Sequence, residues 1–335
     1  MEQSIAAIVL AAGYSSRMGR FKPLLPIGHA TALDRVIDLF LAAGIVEINV
    51  VTGHRAEAIE SVLKRKGVHA ILNPHYDSGM YSSVTAGVNS LSAQVEACFV
   101  LPADMPLVRP RTIQLLTQTY ASHPWPVIYP VFQGRRGHPP LVRRSVLAES
   151  LYNHEPGGLR ALLARHQQGA GDVAVIDEGI HLDLDTPADL ARALALAECS
   201  DAPSPAECEA ILADALADAK VDERTVRHSR LVSEVARKLT VCLTKSGVSV
   251  DLAVVRAASL LYHVTHDYSD YSGFPKVANV ITCHRNFDHS AGIVDEAAIV
   301  YLADRLVVGE TVVSLEREIE ARSGMRFQEI LTSPG

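Results

Sequence analysis

The opening of the chain constrains its fold more than any other segment. An apolar run from Ile5 to Ala12 passes without a break into Gly13-Tyr14-Ser15-Ser16-Arg17-Met18-Gly19-Arg20-Phe21-Lys22-Pro23. A short apolar run ended by glycine reads as a buried strand. This one empties into a small-residue loop with three cations, Arg17, Arg20 and Lys22, inside six positions. Glycines let backbone N–H groups approach an anion closely, and Arg17 and Lys22 can neutralise charge that moves onto a leaving pyrophosphate. The loop is not a Walker A loop, because Gly13 and Gly19 are six apart and the lysine follows three residues later; G-x-G-x-x-G is also absent. The alternative is a glycine-rich turn whose cations face solvent.

Behind this loop, apolar runs alternate with helical patterns up to about residue 198, which is the signature of βαβ units around a mostly parallel sheet. The expected strands are Ala6–Leu10, Ile48–Thr52, His69–Leu72, Ala97–Leu101, Val127–Val131 and Asp172–Ile176. Ala32–Ala43, Ser83–Leu91, Arg111–Tyr120 and Leu159–His166 are expected helices. The run Ser200-Asp201-Ala202-Pro203-Ser204-Pro205 punctuates the chain. Beyond it strand patterns nearly vanish, and helices are expected over Ala206–Ala219, Glu223–Leu239, Asp251–Thr265, Val277–His284, Asp295–Val308 and Glu310–Ala321. The expected organisation is therefore a Rossmann-like α/β domain at 1–198, a linker at 199–206 and an all-α domain at 207–335, which a chain of 335 residues accommodates.

Thirty-one Lys+Arg against 38 Asp+Glu give a net charge of −7, which offers no basic footprint for a nucleic acid. Five scattered cysteines, never paired as C-x-x-C, argue against a disulfide framework or structural zinc and point to a reducing cytoplasm. No apolar run reaches the roughly 18 residues of a membrane span.

Asp104 follows the apolar run Ala97–Leu101, at the carboxyl end of an expected central strand, where open α/β sheets place ligands. Held between Pro102 and Pro106, it is either a turn former or a stiff ligand for Mg²⁺ opposite the cationic loop. In His181-Leu182-Asp183-Leu184-Asp185-Thr186-Pro187-Ala188-Asp189, Thr186, Pro187 and Asp189 have the spacing of a helix start, so Asp185 and Asp189 have a structural explanation. Asp183, expected at the end of the last strand, is the candidate second metal contact. Ser82 and Ser83 head the expected helix Ser83–Leu91 and can serve as its N-caps. His138, with Arg135 and Arg136 beside it, lies in an expected turn that either meets an acceptor phosphate or simply exposes a loop histidine. An acceptor phosphate is already ionised at neutral pH, so no general base is required.

The run Leu10-Ala11-Ala12-Gly13 through Arg17, Met18, Gly19, Lys22 and Leu24-Leu25-Pro26 to Gly28 resembles the signature of molybdenum cofactor cytidylyltransferases. Four further segments match in order: Asn73-Pro74 with Gly79–Val84, Leu101–Pro106, Gly137–Leu141 and Asp183–Pro187. The resemblance implies that Gly13, Arg17 and Lys22 hold the phosphates of CTP, that Leu10, Ala11 and Ala12 lie near the base, and that Ser82 and Ser83 adjoin base and ribose. It places His138 and Arg136 on the pterin side, with Arg17, Lys22 and Asp104 as the catalytic set. Mg²⁺ is the implied ion and a molybdopterin-type cofactor the acceptor. The guanylyl branch usually carries glycine at the position of Ala12, which favours CTP over GTP. The competing readings are a guanylyl or sugar-phosphate nucleotidylyltransferase, and a non-catalytic cofactor chaperone whose tail docks a molybdenum hydroxylase apoenzyme.

The tail resembles a degenerate HD domain. His228 matches the first histidine and Asp304 the last aspartate, whereas Tyr262 and His263 stand where relatives carry His-Asp. A tyrosine and a histidine there cannot assemble the usual dinuclear centre. His263 and His266, with His228, His284 and Asp304, offer a substitute set for one ion. Alternatively His228 lies on an apolar helix face with Leu231, Val235 and Leu239, and the tail is a dimerisation, regulatory or docking module. A phosphohydrolase centred on the tail is a third reading.

Overall fold

The computed structural model describes residues 4–16, 18–152, 156–199, 201–264, 273–285 and 294–314. Arg17 and His266 lie outside the described residues. The chain divides into two compact units, Met1–Glu198 and Cys199–Gly335.

The strands of the first unit are β1 (Ile5–Ala11), β2 (Pro26–Ile27), β3 (Ala30–Thr31), β4 (Glu47–Thr52), β5 (His69–Leu72), β6 (Ala97–Pro102), β7 (Val127–Phe132), β8 (Arg135–Arg136), β9 (Leu141–Arg143) and β10 (Gly171–Ala174). β2 and β3 form a small hairpin, and the others make one sheet in the order β10-β7-β9-β6-β1-β4-β5, with β8 added to β7. β1 pairs in parallel with both β4 and β6, putting Leu10 opposite Val51 on one side and Pro102 on the other. Ala6, Ala7, Ile8 and Val9 are wholly buried, as expected of a central strand covered on both faces. Helices α1 (Ala32–Ala42), α2 (Ala56–Lys66), α3 (Met80–Asn89), α4 (Pro110–Ser122), α5 (Arg144–Leu147), α6 (Gly158–Arg165) and α7 (Pro187–Ala197) connect and cover the strands. Chain order leaves β1 outward to β4 and β5, then returns to β6 on its other side. The crevice at the carboxyl ends of β1 and β6 is therefore the switch point where such sheets bind ligands.

The mixed, mostly parallel sheet agrees with the sequence patterns, and three details depart from them. β9 has no counterpart among the expected strands: it spans three residues after Pro139-Pro140 and runs antiparallel between β6 and β7, too short for periodicity to register. β10 ends at Ala174, and a 3₁₀ turn at Glu178–His181 follows, so Asp183 does not sit at a strand end. α3 begins at Met80 with Gly79 (φ +98°) at its N-cap, which places Ser82 and Ser83 inside the first turn, not at the cap. The expected start of α7 is present in full, with Thr186 and Asp189 forming a reciprocal capping box and Pro187 in the first turn.

In the second unit α8 (Pro205–Ala217) is capped by Ser204 and Glu207 and so begins inside the expected linker. It is followed by α9 (Glu223–Lys245), α10 (Leu252–Leu261), α11 (Pro275–Arg285) and α12 (Glu296–Arg305), then by the hairpin β11 (Val307–Val308) and β12 (Thr311–Val312). The helix expected from Glu310 starts as this strand, because Gly309 (φ +64°) turns the chain and the β-branched run Thr311-Val312-Val313 favours extension. The rest of that expected helix lies outside the described residues. The buried face of α9 carries Ser229, Val232, Ser233, Ala236 and Thr240; Leu231, Val235 and Leu239 are only half-buried, one step round the helix from the expected face.

Candidate active site

At the switch point the first loop meets the segment after β6. The Ala103 N–H donates to the Leu10 carbonyl at 2.9 Å, tying the two strand ends together. Lys22 opens a short 3₁₀ turn stiffened by Pro23, and its own N–H donates to the Ser15 hydroxyl at 3.1 Å. Its ammonium then reaches across the crevice, donating to Asp104 Oδ2 at 2.8 Å and to Asp185 Oδ1 at 2.5 Å. Burial alone would lower the Lys22 pKa, but the hydrogen bonds from these two carboxylates reverse the sign and hold it above the ordinary lysine value. The side chain is a charged ammonium clamped between two acids.

The third acid is Asp183. The Leu184 N–H donates to the Asp104 carbonyl at 3.0 Å, so the two acidic segments run side by side. Leu182 and Leu184 are buried, and Asp183 and Asp185 alternate with them towards the crevice. Burial raises the pKa of Asp183, and the charges of Asp185 and Asp104 raise it further. Three oxygen-donor carboxylates compensated by one ammonium leave an excess of negative charge, and hard oxygen donors are what Mg²⁺ selects, so the residues present fit a divalent ion.

Asp177 builds the approach to this segment. Its buried carboxylate accepts from the Arg109 N–H at 2.8 Å, the Thr112 hydroxyl at 2.6 Å and the Gly179 N–H at 3.0 Å. On the opposite wall the His138 N–H donates to the Ile180 carbonyl at 2.9 Å, and the His138–Pro139 peptide bond is cis. Burial lowers the pKa of His138, against the opposing pull of Asp104 and Asp183.

These elements enclose a cleft of about 930 Å³, within the range of small-ligand sites. Among the sequence-derived candidates, Leu10, Ala11, Ala12, Gly13, Lys22, Ser83, Asp104, Arg136, His138 and Asp183 line it. Ser82 does not. Its hydroxyl accepts from Asn73 Nδ2 at 2.8 Å and lies 2.8 Å from both the His75 and Gly79 carbonyls, so it fastens the turn ahead of α3. Arg136 is committed to Asp172 at 2.6 Å and stacks over Tyr129 at 4.4 Å. Asp185, given only a structural explanation from sequence, is a wall residue, as are Tyr14 and Tyr76, whose rings lie 5.5 Å apart. The second unit brings His228, His263 and Asp304 together.

An anion-receptive loop facing a carboxylate cluster across one cleft defines a nucleotidyltransferase. The description "MobA-like NTP transferase domain" matches residues 7–170, and the chain belongs to that family. It is 32% identical over 191 residues to the molybdenum cofactor cytidylyltransferase of Escherichia coli K12, covering 57% of this chain and 95% of that one. A probable molybdenum cofactor guanylyltransferase of Methanosarcina mazei is 31% identical over 123 residues, covering 35% of this chain and 54% of the relative. A crystal structure of a Mycobacterium tuberculosis H37Rv protein superposes with a TM-score of 0.52 at 25% identity, over 58% of this chain and 100% of that one. Nucleotidyltransferases of this family typically use a divalent metal. No helix among the described residues is long and apolar enough to cross a membrane.

Proposed function

We propose that the first unit transfers CMP from CTP to the terminal phosphate of a molybdopterin-type cofactor, releasing pyrophosphate with Mg²⁺ as the ion. The observation that carries this reading is the Lys22 ammonium bridging Asp104 and Asp185 at the mouth of the β1 loop. In this reading Asp104 and Asp183 hold the ion, which supplies charge neutralisation on the phosphate oxygens when bound. The carboxylates then no longer need Lys22, and its ammonium turns to the charge developing on the leaving pyrophosphate. Gly13 and the Leu10–Ala12 backbone form the floor under the nucleotide, while Ser83 adjoins its ribose. His138 and Arg136 face the acceptor from the opposite wall, so the reaction is one of positioning and charge, with no proton abstraction required. Arg17 is assigned to the phosphates by resemblance. In the same reading the protein is cytoplasmic, and the helical unit, similar to a degenerate HD domain, docks or regulates, with a molybdenum hydroxylase apoenzyme as the proposed partner.

The test is turnover of CTP and GTP with the loaded pterin cofactor, followed by pyrophosphate release. A CTP preference of at least about tenfold in kcat/KM, equivalent to about 1.4 kcal/mol, is the expected result. Preference for GTP assigns the guanylyl reaction instead, and no release with any nucleoside triphosphate sinks the enzymatic reading.

Lys22→Met separates the two roles given to this side chain. Removing the ammonium leaves Asp104, Asp183 and Asp185 facing one another, so Mg²⁺ affinity is expected to rise. The rate of pyrophosphate release is expected to fall by about 10²- to 10³-fold, as when one charge-stabilising donor is lost. Magnesium titration and single-turnover assays read the two effects independently.

A further inference from the structure

We infer, on the transfer reaction proposed above, that the cleft carries an oxyanion subsite for the acceptor, built from Arg135, His181 and Arg192. The three residues arrive from three places in the fold. Arg135 opens β8, His181 ends the 3₁₀ turn at Glu178–His181 and Arg192 is in α7.

The hairpin between β7 and β8 sorts its two arginines. It turns on Gln133 (φ +50°) and Gly134 (φ +73°), both left-handed, as a tight two-residue connection requires. Its register pairs Val131 with Arg136 and Phe132 with Arg135, and consecutive strand residues project from opposite faces. Arg136 takes the face where Asp172 holds it at 2.6 Å and the Tyr129 ring lies 4.4 Å away, so it braces the hairpin. Arg135 therefore shares the other face with Phe132, whose ring lies 6.3 Å from that of His181. The Arg135 carbonyl, which can only accept, lies 3.1 Å from His181 Nε2, so that nitrogen carries the proton and the imidazole is tied to the strand. Arg135 and His181 both line the cleft.

Two like charges converge on this imidazole. Burial lowers the pKa of His181, backbone hydrogen bonds of Arg135 and Arg136 oppose that, and the guanidinium charges of Arg135 and Arg192 lower it further. Among the described residues neither guanidinium has a hydrogen-bond or ion-pair partner. A lone exposed arginine is ordinary surface, whereas two unpaired ones beside a histidine that lines a cleft leave positive potential uncompensated on one wall. His138 stands within electrostatic reach of Asp104, Asp183 and His181 alike, so this wall and the carboxylate cluster share one cleft. The carboxylates repel an anionic acceptor, which needs countercharge away from them, and planar guanidinium groups suit the paired oxygens of a phosphate. A phosphomonoester fits this wall, and a neutral alcohol does not use it.

The test uses the full chain with inorganic phosphate as the probe. The readout is the imidazole NMR signal of His181 at fixed pH, assigned by its loss in His181→Gln. A saturable shift is expected, and it is expected to persist when CTP and Mg²⁺ are already present. Arg135→Gln and Arg192→Gln, both at exposed positions, are expected to keep the wild-type circular dichroism and each to weaken phosphate binding about tenfold, the loss of one charge-assisted contact. In turnover with the loaded pterin cofactor, Arg135→Gln is expected to raise the acceptor KM about tenfold, with kcat and the KM for CTP within about twofold of wild type. No shift in the wild type, an undiminished shift in both arginine variants, displacement of phosphate by CTP, or a KM change confined to CTP overturns the assignment. The imidazole signal needs no turnover, so a phosphate shift without pyrophosphate release rejects the transfer reaction and leaves the oxyanion subsite standing.

Discussion

Asp104→Asn is expected to lower pyrophosphate release by about 10³-fold, equivalent to about 4 kcal/mol of transition-state stabilisation, while leaving the melting temperature nearly unchanged. The amide keeps the size and shape of the carboxylate but removes the charge that a divalent ion needs. The structural cost is small for two reasons. Asp104 is partly exposed, with 22% of its side chain accessible, so its ion pair with Lys22 contributes about 1 kcal/mol at most. Lys22 also keeps Asp185 at 2.5 Å, and removing one negative charge from the cluster relieves its repulsion with Asp183. Loss of activity without loss of fold, together with weaker Mg²⁺ binding in a titration, separates a metal ligand from a turn former. Wild-type turnover at saturating Mg²⁺ would return Asp104 to the turn-forming role and take the proposed reaction with it. The variant moves Mg²⁺ affinity in the opposite direction from Lys22→Met, and the pair tests whether ammonium and ion compete for the same oxygens.

How much of this site is legible in the chain depends on the range over which each residue acts. The β1 run and the Asp104 turn act locally, and apolar patterning places both at the carboxyl edge of the sheet. The start of α7 is legible for the same reason, since Thr186, Pro187 and Asp189 complete their cap within four residues. Asp185 shows what a local explanation hides. It precedes that cap and is readily assigned to it, yet its partner is Lys22, 163 positions away. The signal was present in the alternation Leu182-Asp183-Leu184-Asp185: with both leucines buried, both acids must share the opposite side. Ser82 errs in the other direction, because a serine next to a matching motif attracts a binding role, whereas Asn73 and two carbonyls use it to fix the turn ahead of α3. β9 offers three residues between paired prolines and neighbouring arginines, and only the groove between β6 and β7 makes it a strand. The His228 cluster is legible as residues but not as geometry, since the carbonyl that orients His228 belongs to a hairpin 81 positions away, in a stretch that reads as helix.

Gly137→Ala is expected to destabilise the first unit by about 3 kcal/mol and to lower the melting temperature by roughly 6–12 °C. A β-carbon on Gly137 would stand 2.6 Å from the Ile180 carbonyl oxygen and 2.5 Å from Ile180 Cγ1. Neither neighbour can yield cheaply. The Ile180 carbonyl accepts the His138 N–H at 2.9 Å, and the Gly137 N–H is itself tied to the Pro130 carbonyl at 2.8 Å. Any shift that makes room for the methyl group therefore breaks the bond between the His138 segment and the 3₁₀ turn that leads to Asp183. Gly134→Ala is the control: its φ of +73° carries the left-handed penalty of about 1–2 kcal/mol, but a β-carbon there meets nothing within 4 Å. Calorimetry on the two variants is expected to rank Gly137→Ala as the more damaging. At a temperature where both remain folded, the KM for the pterin acceptor is expected to rise more than the KM for CTP, because the proposed function assigns the displaced His138 wall to the acceptor and the β1 loop to the nucleotide. Equal melting temperatures for the two variants would mean that the close approach of Gly137 to Ile180 is not what holds the wall in place.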